Sequence, residues 1–130
     1  MNTQREIKFR MWSKEVKKFF FDPENVYHCL KLSKNEETSH LYEDMVWQQF
    51  TGLKDSKGID VYEGDIVEFL HKGKTIFSKI SYYSNVGMFA VVIEPNQEID
   101  IETRKCLAEV CFFEVIGNIF KNSELLENKD

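Results

Sequence analysis

The sequence contains few residues that interrupt a chain or cross-link it. Its 130 residues include two prolines, six glycines and three cysteines. The cysteines are Cys29, Cys106 and Cys111, an odd number without the spacing of a disulfide framework. This usage indicates reduced thiols, and it favours a cytoplasmic protein over a secreted one stabilised by disulfides.

Long hydrophobic runs are also missing. The first eight residues have no apolar segment of the kind that a secretory signal peptide requires. No stretch approaches the ~18 consecutive apolar residues of a membrane-spanning helix. Both observations again lead us to expect a cytoplasmic protein.

Motifs for catalysis and nucleotide binding are absent. The chain has no G-x-G-x-x-G, P-loop, H-E-x-x-H or G-x-S-x-G string. Four residues separate Cys106 from Cys111, whereas structural zinc sites usually have closer, paired ligands. We therefore expect no enzyme activity, no cofactor and no metal.

The charge balance is mildly acidic, with a formal net charge of −5 from 17 basic and 22 acidic residues. A sequence-independent nucleic-acid binder obtains most of its affinity from Lys and Arg at phosphates, so this balance disfavours that class. Basic residues are nevertheless frequent near the N-terminus: Arg5, Lys8, Arg10, Lys14, Lys17 and Lys18. They are typical of the solvated face of a hairpin, and the alternative is a patch for an acidic partner.

Aromatic residues are abundant, with eleven Phe, five Tyr and two Trp. They favour pleated, half-buried surfaces, which indicates a mainly β protein. Neighbouring aromatics on a strand point to opposite faces, so a pair such as Phe112 and Phe113 is expected to place at least one ring in the core and to leave the other exposed or covered by a neighbouring subunit. A stacking platform for single-stranded nucleic acid is the alternative. Trp12 and Trp47 are expected at a partner surface, because exposed aromatics often anchor interfaces.

Alternation of apolar and polar residues predicts strands along most of the chain. Residues 5–12 alternate, and residues 16–21 return after a polar turn, which predicts an N-terminal hairpin over 5–21. Residues 26–32 also alternate and are predicted as a short strand. Residues 88–93 are continuously apolar, which predicts a central strand covered on both faces.

The clearest turn signals lie in residues 50–69. Asp55 and Gly58 are the first and fourth residues of a type I turn that closes into a G1 bulge, where Gly supplies a positive φ. Gly64 permits a second reversal, and Asp65 directly follows it. We expect these four residues to form a structural turn signature.

The same segment carries carboxylates that resemble an acid–base or cation site. They are Asp55, Asp60, Glu63 and Asp65. An EF-hand loop would need an acidic or amide residue at position 57, where this chain has Lys57. Turn chemistry explains Asp55 better, because its side chain can accept a hydrogen bond from the backbone two residues later.

The remaining elements belong to the C-terminal half. Ile66 begins a strand and is expected to face the core. Asp100 and the apolar spacing after it predict a short helix over residues 100–110, with an irregular loop as the alternative. Asn122 is expected to cap a last helical turn over residues 122–126.

These elements together predict a mainly β, marginally α+β, single domain over residues 1–130. The N-terminal hairpin leads into a small, bent, partly open SH3-like β-barrel over about residues 45–120. A short C-terminal helical turn follows.

Three segments of the chain resemble the YopX protein family of phage and prophage proteins. They are REIKFRMW at residues 5–12, FTGLKDSKG with VYEGDIV at residues 50–67, and VIGNIF with ELL at residues 115–126. They occur in the family's order, and the middle segment is the most specific. Met11 and Ser13 stand where Ala and Asp are more usual in the family.

The resemblance implies an origin in a phage or prophage, and therefore the cytoplasm of a bacterial host cell. It also implies a family whose biochemical role is uncharacterised, and it supplies no catalytic residues. We therefore expect a non-enzymatic accessory protein that binds a protein partner or self-associates. The alternative is a nucleic-acid-binding module that uses the basic hairpin and exposed aromatics. The candidate partner surface is formed by Arg5, Lys8, Arg10, Trp12 and Trp47.

Overall fold

The structure, a computed structural model, describes residues 6–21, 23–96 and 101–127. The chain forms two compact units, residues 1–52 and residues 53–130. That it is one domain over residues 1–130 stays a prediction. Within the described ranges, no helix is both long enough and apolar enough to span a membrane.

The N-terminal unit contains an antiparallel sheet and one helix. Strand β1 (Phe9–Ser13) lies between β2 (Lys18–Phe20) and β3 (Met45–Lys54). Helix α1 (Pro23–Ser33) and a 3-10 turn (Ser39–Tyr42) connect β2 to β3. The pairing of β1 with β2 confirms the predicted N-terminal hairpin.

The predicted strand over residues 26–32 is wrong, because these residues lie within α1. Pro23 is the first helical residue, a position where its fixed φ and missing N–H are tolerated. Val26 is buried and both Cys29 and Leu30 are half-buried, which is helical spacing. Apolar residues at positions 26, 30 and 32 fit both the two-residue period of a strand and the 3.6-residue period of a helix. Packing of this segment against β1 selects the helix.

The C-terminal unit consists mainly of strands, namely β4 (Asp60–Tyr62), β5 (Asp65–His71), β6 (Lys74–Lys79), β7 (Ser81–Tyr83), β8 (Met88–Asn96), β9 (Ile101–Cys106) and β10 (Phe113–Asn118). β5 lies between β6 and β10 in one antiparallel sheet, and β8 lies between β7 and β9 in another. β6 also contacts β8. This mainly β architecture confirms the predicted small β-barrel-like fold.

The core of this unit is formed by residues from both sheets and from the segments that connect their strands. Its buried members are Val61, Val67, Phe69, Ile80, Val91, Leu107, Val110 and Phe113. Ile66 is also fully buried, as predicted. Ala90 and Val91 have no exposed surface, which confirms that residues 88–93 form a central strand. Apolar burial of this kind is the main stabilising contribution to a fold of this size.

The predicted helix over residues 100–110 is wrong. Residues 101–106 form β9, and only Leu107–Glu109 is helical, as a single 3-10 turn. Cross-strand pairing decides this segment, since β9 pairs with β8 along its length. Asp100, the predicted cap, lies outside the described residues.

The predicted C-terminal helical turn is confirmed as a 3-10 turn at Ser123–Leu126. Asn122 precedes it, but its side chain makes no capping hydrogen bond. Its Oδ1 accepts instead from the backbone N–H of Asn118, 3.2 Å away, at the end of β10. The residue therefore closes the turn after the strand and does not cap the helical turn.

Candidate functional site

Asp55 and Gly58 form a turn immediately after β3. The backbone N–H of Gly58 donates to the carbonyl of Asp55 at 3.0 Å, and Gly58 has a φ of +83°. Asp55 Oδ1 accepts from the backbone N–H groups of Lys57 and Ile59, both at 2.9 Å. Only glycine adopts this left-handed conformation without a steric cost.

The same turn also holds β10. Asp55 Oδ2 accepts from the backbone N–H of Val115 at 3.0 Å. The backbone N–H and the Oγ of Ser56 both donate to the carbonyl of Phe113 at 2.9 Å. β10 pairs with β5 along one edge, so these bonds occupy its other edge, which would otherwise present unpaired backbone groups.

The environment of Asp55 favours the ionised carboxylate. Its side chain is buried, and burial alone would raise its pKa. The hydrogen bonds from Val115, Ile59 and Lys57, together with the positive charge of Lys57, outweigh this effect and place the pKa of Asp55 below its ordinary value. A carboxylate held in this way accepts hydrogen bonds from the backbone and is unsuited to donating protons.

The other carboxylates of this segment also have structural partners. Asp65, which is buried, accepts from the backbone N–H of Tyr62 at 2.8 Å through Oδ2. Asp60 pairs with Lys54 Nζ at 2.7 Å. Gly64 donates its N–H to the carbonyl of Ile80 and so ties the second reversal to the strand region that follows β6. In the part of the chain that the structure describes, no group of three or more His, Cys, Asp or Glu side chains is placed to hold a metal ion.

Two residues of the predicted partner surface, Arg10 and Trp12, lie inside the N-terminal unit. Each is only 5% exposed. Arg10 Nε donates to Gln48 Oε1 at 2.8 Å, and its guanidinium lies 4.1 Å from the ring centroid of Phe19. The ring of Trp12 packs against the same Phe19 at 4.8 Å between centroids. The prediction that Arg10 and Trp12 face a partner is therefore wrong, because both side chains are buried against Phe19.

The other three residues of that surface are placed differently. Lys8 is half-buried, pairs with Glu6 at 3.0 Å and lies 4.5 Å above the ring of Phe50. Trp47 is half-buried on β3. Arg5 lies outside the described residues. Neither Lys8 nor Trp47 belongs to a strongly exposed patch of the kind that the sequence suggested.

A strongly exposed apolar surface occurs on the C-terminal unit. Leu70 on β5 is 72% exposed, Phe112 just before β10 is 66% exposed, and Phe77 on β6 is 46% exposed. Leu70 points away from the core, because the neighbouring Phe69 points into it. Phe112 likewise points outward while Phe113 is buried, as the aromatic pair predicted. Clustered apolar exposure of this kind commonly marks an interaction surface.

Two adjoining cavities flank these side chains, and we call them together the Leu70–Phe112 groove. Leu70, Phe112 and the buried Phe69 line both cavities. The first, of about 180 Å³, is completed by Glu68, Thr75 and Glu114. The second, of about 380 Å³, is completed by His71, Lys105, Val110 and Cys111.

The two ends of the groove differ in charge. Glu68 and Glu114 line only the first cavity, and they stand directly opposite each other on β5 and β10. Like charges in such a pair are unfavourable, and the ion pair that Glu114 makes, with Lys57, spans 3.6 Å. Lys105 and His71 line only the second cavity. The groove is therefore acidic at one end, apolar in the middle and basic at the other end.

Comparison with known proteins identifies a family that matches this chain. The family model described as YopX protein matches residues 8–127. A search of curated proteins finds no match. The crystal structure of protein EF1440 from Enterococcus faecalis is similar to this chain, with a TM-score of 0.60 and 24% sequence identity over 95% of this chain and 100% of that one. This likeness concerns the fold.

Proposed function

The chain belongs to the YopX protein family, and we propose that it is a phage or prophage accessory protein that binds protein and catalyses no reaction. The observation that supports this function is the exposed Leu70–Phe112 groove. Its apolar centre and charged ends have the composition of a protein-docking surface, in which a few large anchors are surrounded by polar groups.

The groove has enough apolar surface to contribute substantially to binding. Most of the surface of the Leu70 and Phe112 side chains is exposed to water. Covering a fully exposed Leu or Phe side chain contributes roughly 1.5–3 kcal/mol, so this pair, about two-thirds exposed, offers about 2–4 kcal/mol. That difference corresponds to a factor of at least about thirty in the dissociation constant.

Replacing Leu70 with aspartate should abolish binding without unfolding the protein. The change puts a charge at the centre of the groove, where a partner would have to desolvate it. We expect the immobilised Leu70→Asp chain to retain at least about tenfold less of any protein, self or foreign, that the unmodified chain retains from lysate of a phage-carrying host. The proteins retained would be quantified by mass spectrometry.

Val86→Asp is the matched control. Val86 is 57% exposed in the turn between β7 and β8, and it lines neither cavity of the groove. This variant should retain the same proteins as the unmodified chain, and both variants should keep its melting temperature. Equal retention by all three chains would contradict the proposed function.

The nucleic-acid alternative receives less support from the structure. Arg10 is buried, and Lys8 is engaged with Glu6 and Phe50. We expect titrations with single- and double-stranded DNA and RNA, followed by fluorescence anisotropy at low and moderate salt, to show no salt-sensitive binding. Binding that weakens steeply as salt rises would instead favour this alternative.

A further inference from the structure

We propose that the occupant of the Leu70–Phe112 groove is a second copy of the same chain, docked face to face about a two-fold axis. This inference rests on the proposed function and names its partner. It is carried by the order of charges along the groove, which is self-complementary.

The charge order follows from the strand register. Along β5 the outward-facing Glu68 comes first, the outward-facing Leu70 lies at the centre, and His71 follows at the strand end. β10 runs antiparallel, so Phe112 lies beside Leu70 and Glu114 lies beside Glu68. Lys105 joins His71 at the basic end.

A two-fold axis in the plane of contact, perpendicular to this acid-to-base line, exchanges the two ends. The apolar centres of the two copies then cover each other. The acidic end of each copy meets the basic end of the other, so that Glu68 of one faces Lys105 of its partner twice in the assembly. Such isologous contacts, in which one surface is complementary to itself, are the commonest in homo-oligomers.

Self-association would also reduce the repulsion between the two carboxylates at the acidic end. Glu68 and Glu114 repel each other in the single chain, where Lys57 lies 3.6 Å from Glu114, and a further cation from a partner reduces that repulsion. The whole chain carries a net charge of −5, which opposes association of two copies at long range. Local pairing of opposite ends therefore has to fix the orientation, since any face-to-face contact that pairs like ends would add to the repulsion.

Two charge reversals test this arrangement. Glu68→Lys places a positive charge opposite Lys105 of the partner, and Lys105→Glu places a negative charge opposite Glu68 of the partner. In the two-fold arrangement, each variant alone brings like charges together at both ends. We expect sedimentation velocity to show dimer formation by the unmodified chain and a dissociation constant at least about tenfold higher for each variant alone.

An equimolar mixture of the two variants gives the decisive result. In the mixed pair, positions 68 and 105 carry opposite charges at both contacts, so the mixture should form a heterodimer about as tightly as the unmodified chain forms its homodimer. Native mass spectrometry distinguishes the heterodimer by mass. A mixture that associates no better than its components would overturn the proposal, as would an unmodified chain that stays monomeric up to about millimolar concentration.

A thiol pair provides a second measurement that does not depend on charge reversal. Thr75 on β6 stands opposite Leu70, at the centre of the groove, so the two-fold axis brings Thr75→Cys of one copy next to the same position of its partner. Oxidised glutathione should link the two copies, each disulfide forming as two thiols reduce one molecule of the oxidant. Thr75→Cys combined with Cys111→Ser should cross-link equally well, and a cross-link that requires Cys111 would contradict the two-fold arrangement.

Failure of this inference is distinguishable from failure of the proposed function. If the unmodified chain is monomeric but loses a bound host protein on Leu70→Asp, the groove binds a foreign protein and the two-fold arrangement falls. If the chain dimerises and Leu70→Asp leaves both the dimer and every other interaction unchanged, the groove is not a docking surface and both proposals fall.

Discussion

Replacing Asp55 with alanine is expected to lower the free energy of unfolding by about 4 kcal/mol, a large share of the ~5–15 kcal/mol that stabilises a typical domain. Three backbone N–H groups would lose their acceptor, those of Lys57, Ile59 and Val115. Hydrogen bonds to a charged group contribute roughly 1.5–3 kcal/mol each, and water can replace part of this loss at the exposed Lys57. Urea unfolding followed by circular dichroism measures the difference.

Two neighbouring substitutions separate this role from a general effect of the turn. Ser56→Ala removes one donor to the Phe113 carbonyl and leaves the backbone N–H bond in place, so it should cost about 0.5–1 kcal/mol. Asp55→Asn keeps Oδ1 as an acceptor, but its amide NH2 group faces the N–H of Val115, where a donor meets a donor. Its loss in the free energy of unfolding should lie between those of Asp55→Ala and Ser56→Ala. Equal midpoints for Asp55→Ala and Ser56→Ala would contradict the role assigned to the carboxylate.

The stabilisation from Asp55 should also depend on pH. Its folded pKa lies below its ordinary value, so the unfolded chain binds the proton more readily than the folded one. The contribution is then fully present above the unfolded pKa of about 3.9 and is lost as pH falls through the lower folded pKa. The difference in stability between the unmodified chain and Asp55→Asn should be constant above about pH 5 and should shrink below about pH 4. A difference that grows on acidification would contradict this sign.

Local chemistry explains why the turn at residues 55–58 could be predicted from the sequence. Its bonds connect residues at most four positions apart, and Asp and Gly at the first and fourth positions favour few alternatives. The hydrogen bonds that join this turn to β10 could not be predicted in the same way. Val115 and Phe113 are 60 and 57 positions from their partners, and nothing in the local pattern identifies such a pair.

The errors in secondary structure have the same origin. The apolar residues of the segment 26–32 satisfy both a strand period and a helix period, and contact of α1 with β1 selects the helix. The segment 101–106 has a weak helical pattern, and pairing with β8 selects the strand. In both places tertiary contacts override a local preference that is small.

The exposed Leu70–Phe112 groove was not predicted, because exposure depends on strand order. Trp12 and Arg10 resemble surface anchors, but β1 lies between β2 and β3 and their side chains pack on Phe19. The sequence did predict that one member of the pair Phe112 and Phe113 would point outward. It could not show that Leu70 would lie beside that ring, since this contact depends on the pairing of β5 with β10.

Gly117→Ala is expected to lower the free energy of unfolding by about 2–3 kcal/mol, for a reason of space. Gly117 follows an irregularity in the pairing of β10 with β5, and its φ is not in the left-handed region. A Cβ at this position would lie 2.6 Å from Cγ and 2.8 Å from Cβ of Asn122, and would also meet its Oδ1. These atoms belong to a short side chain next to the backbone, and moving them breaks the bond from Asn118 N–H to Asn122 Oδ1.

Removing the Asn122 side chain should therefore rescue Gly117→Ala. Asn122→Gly alone loses the hydrogen bond from Asn118 and should cost about 1–2 kcal/mol. The double variant should be no less stable than Gly117→Ala, so the cycle shows a favourable coupling of about 1–2 kcal/mol in urea unfolding. Gly58→Ala is the control, because there a Cβ meets nothing within 4 Å and the cost of about 1–2 kcal/mol comes from the φ of +83°. Its effect should add to that of Asn122→Gly, and additivity at Gly117 as well would mean that Asn122 does not create the requirement for glycine.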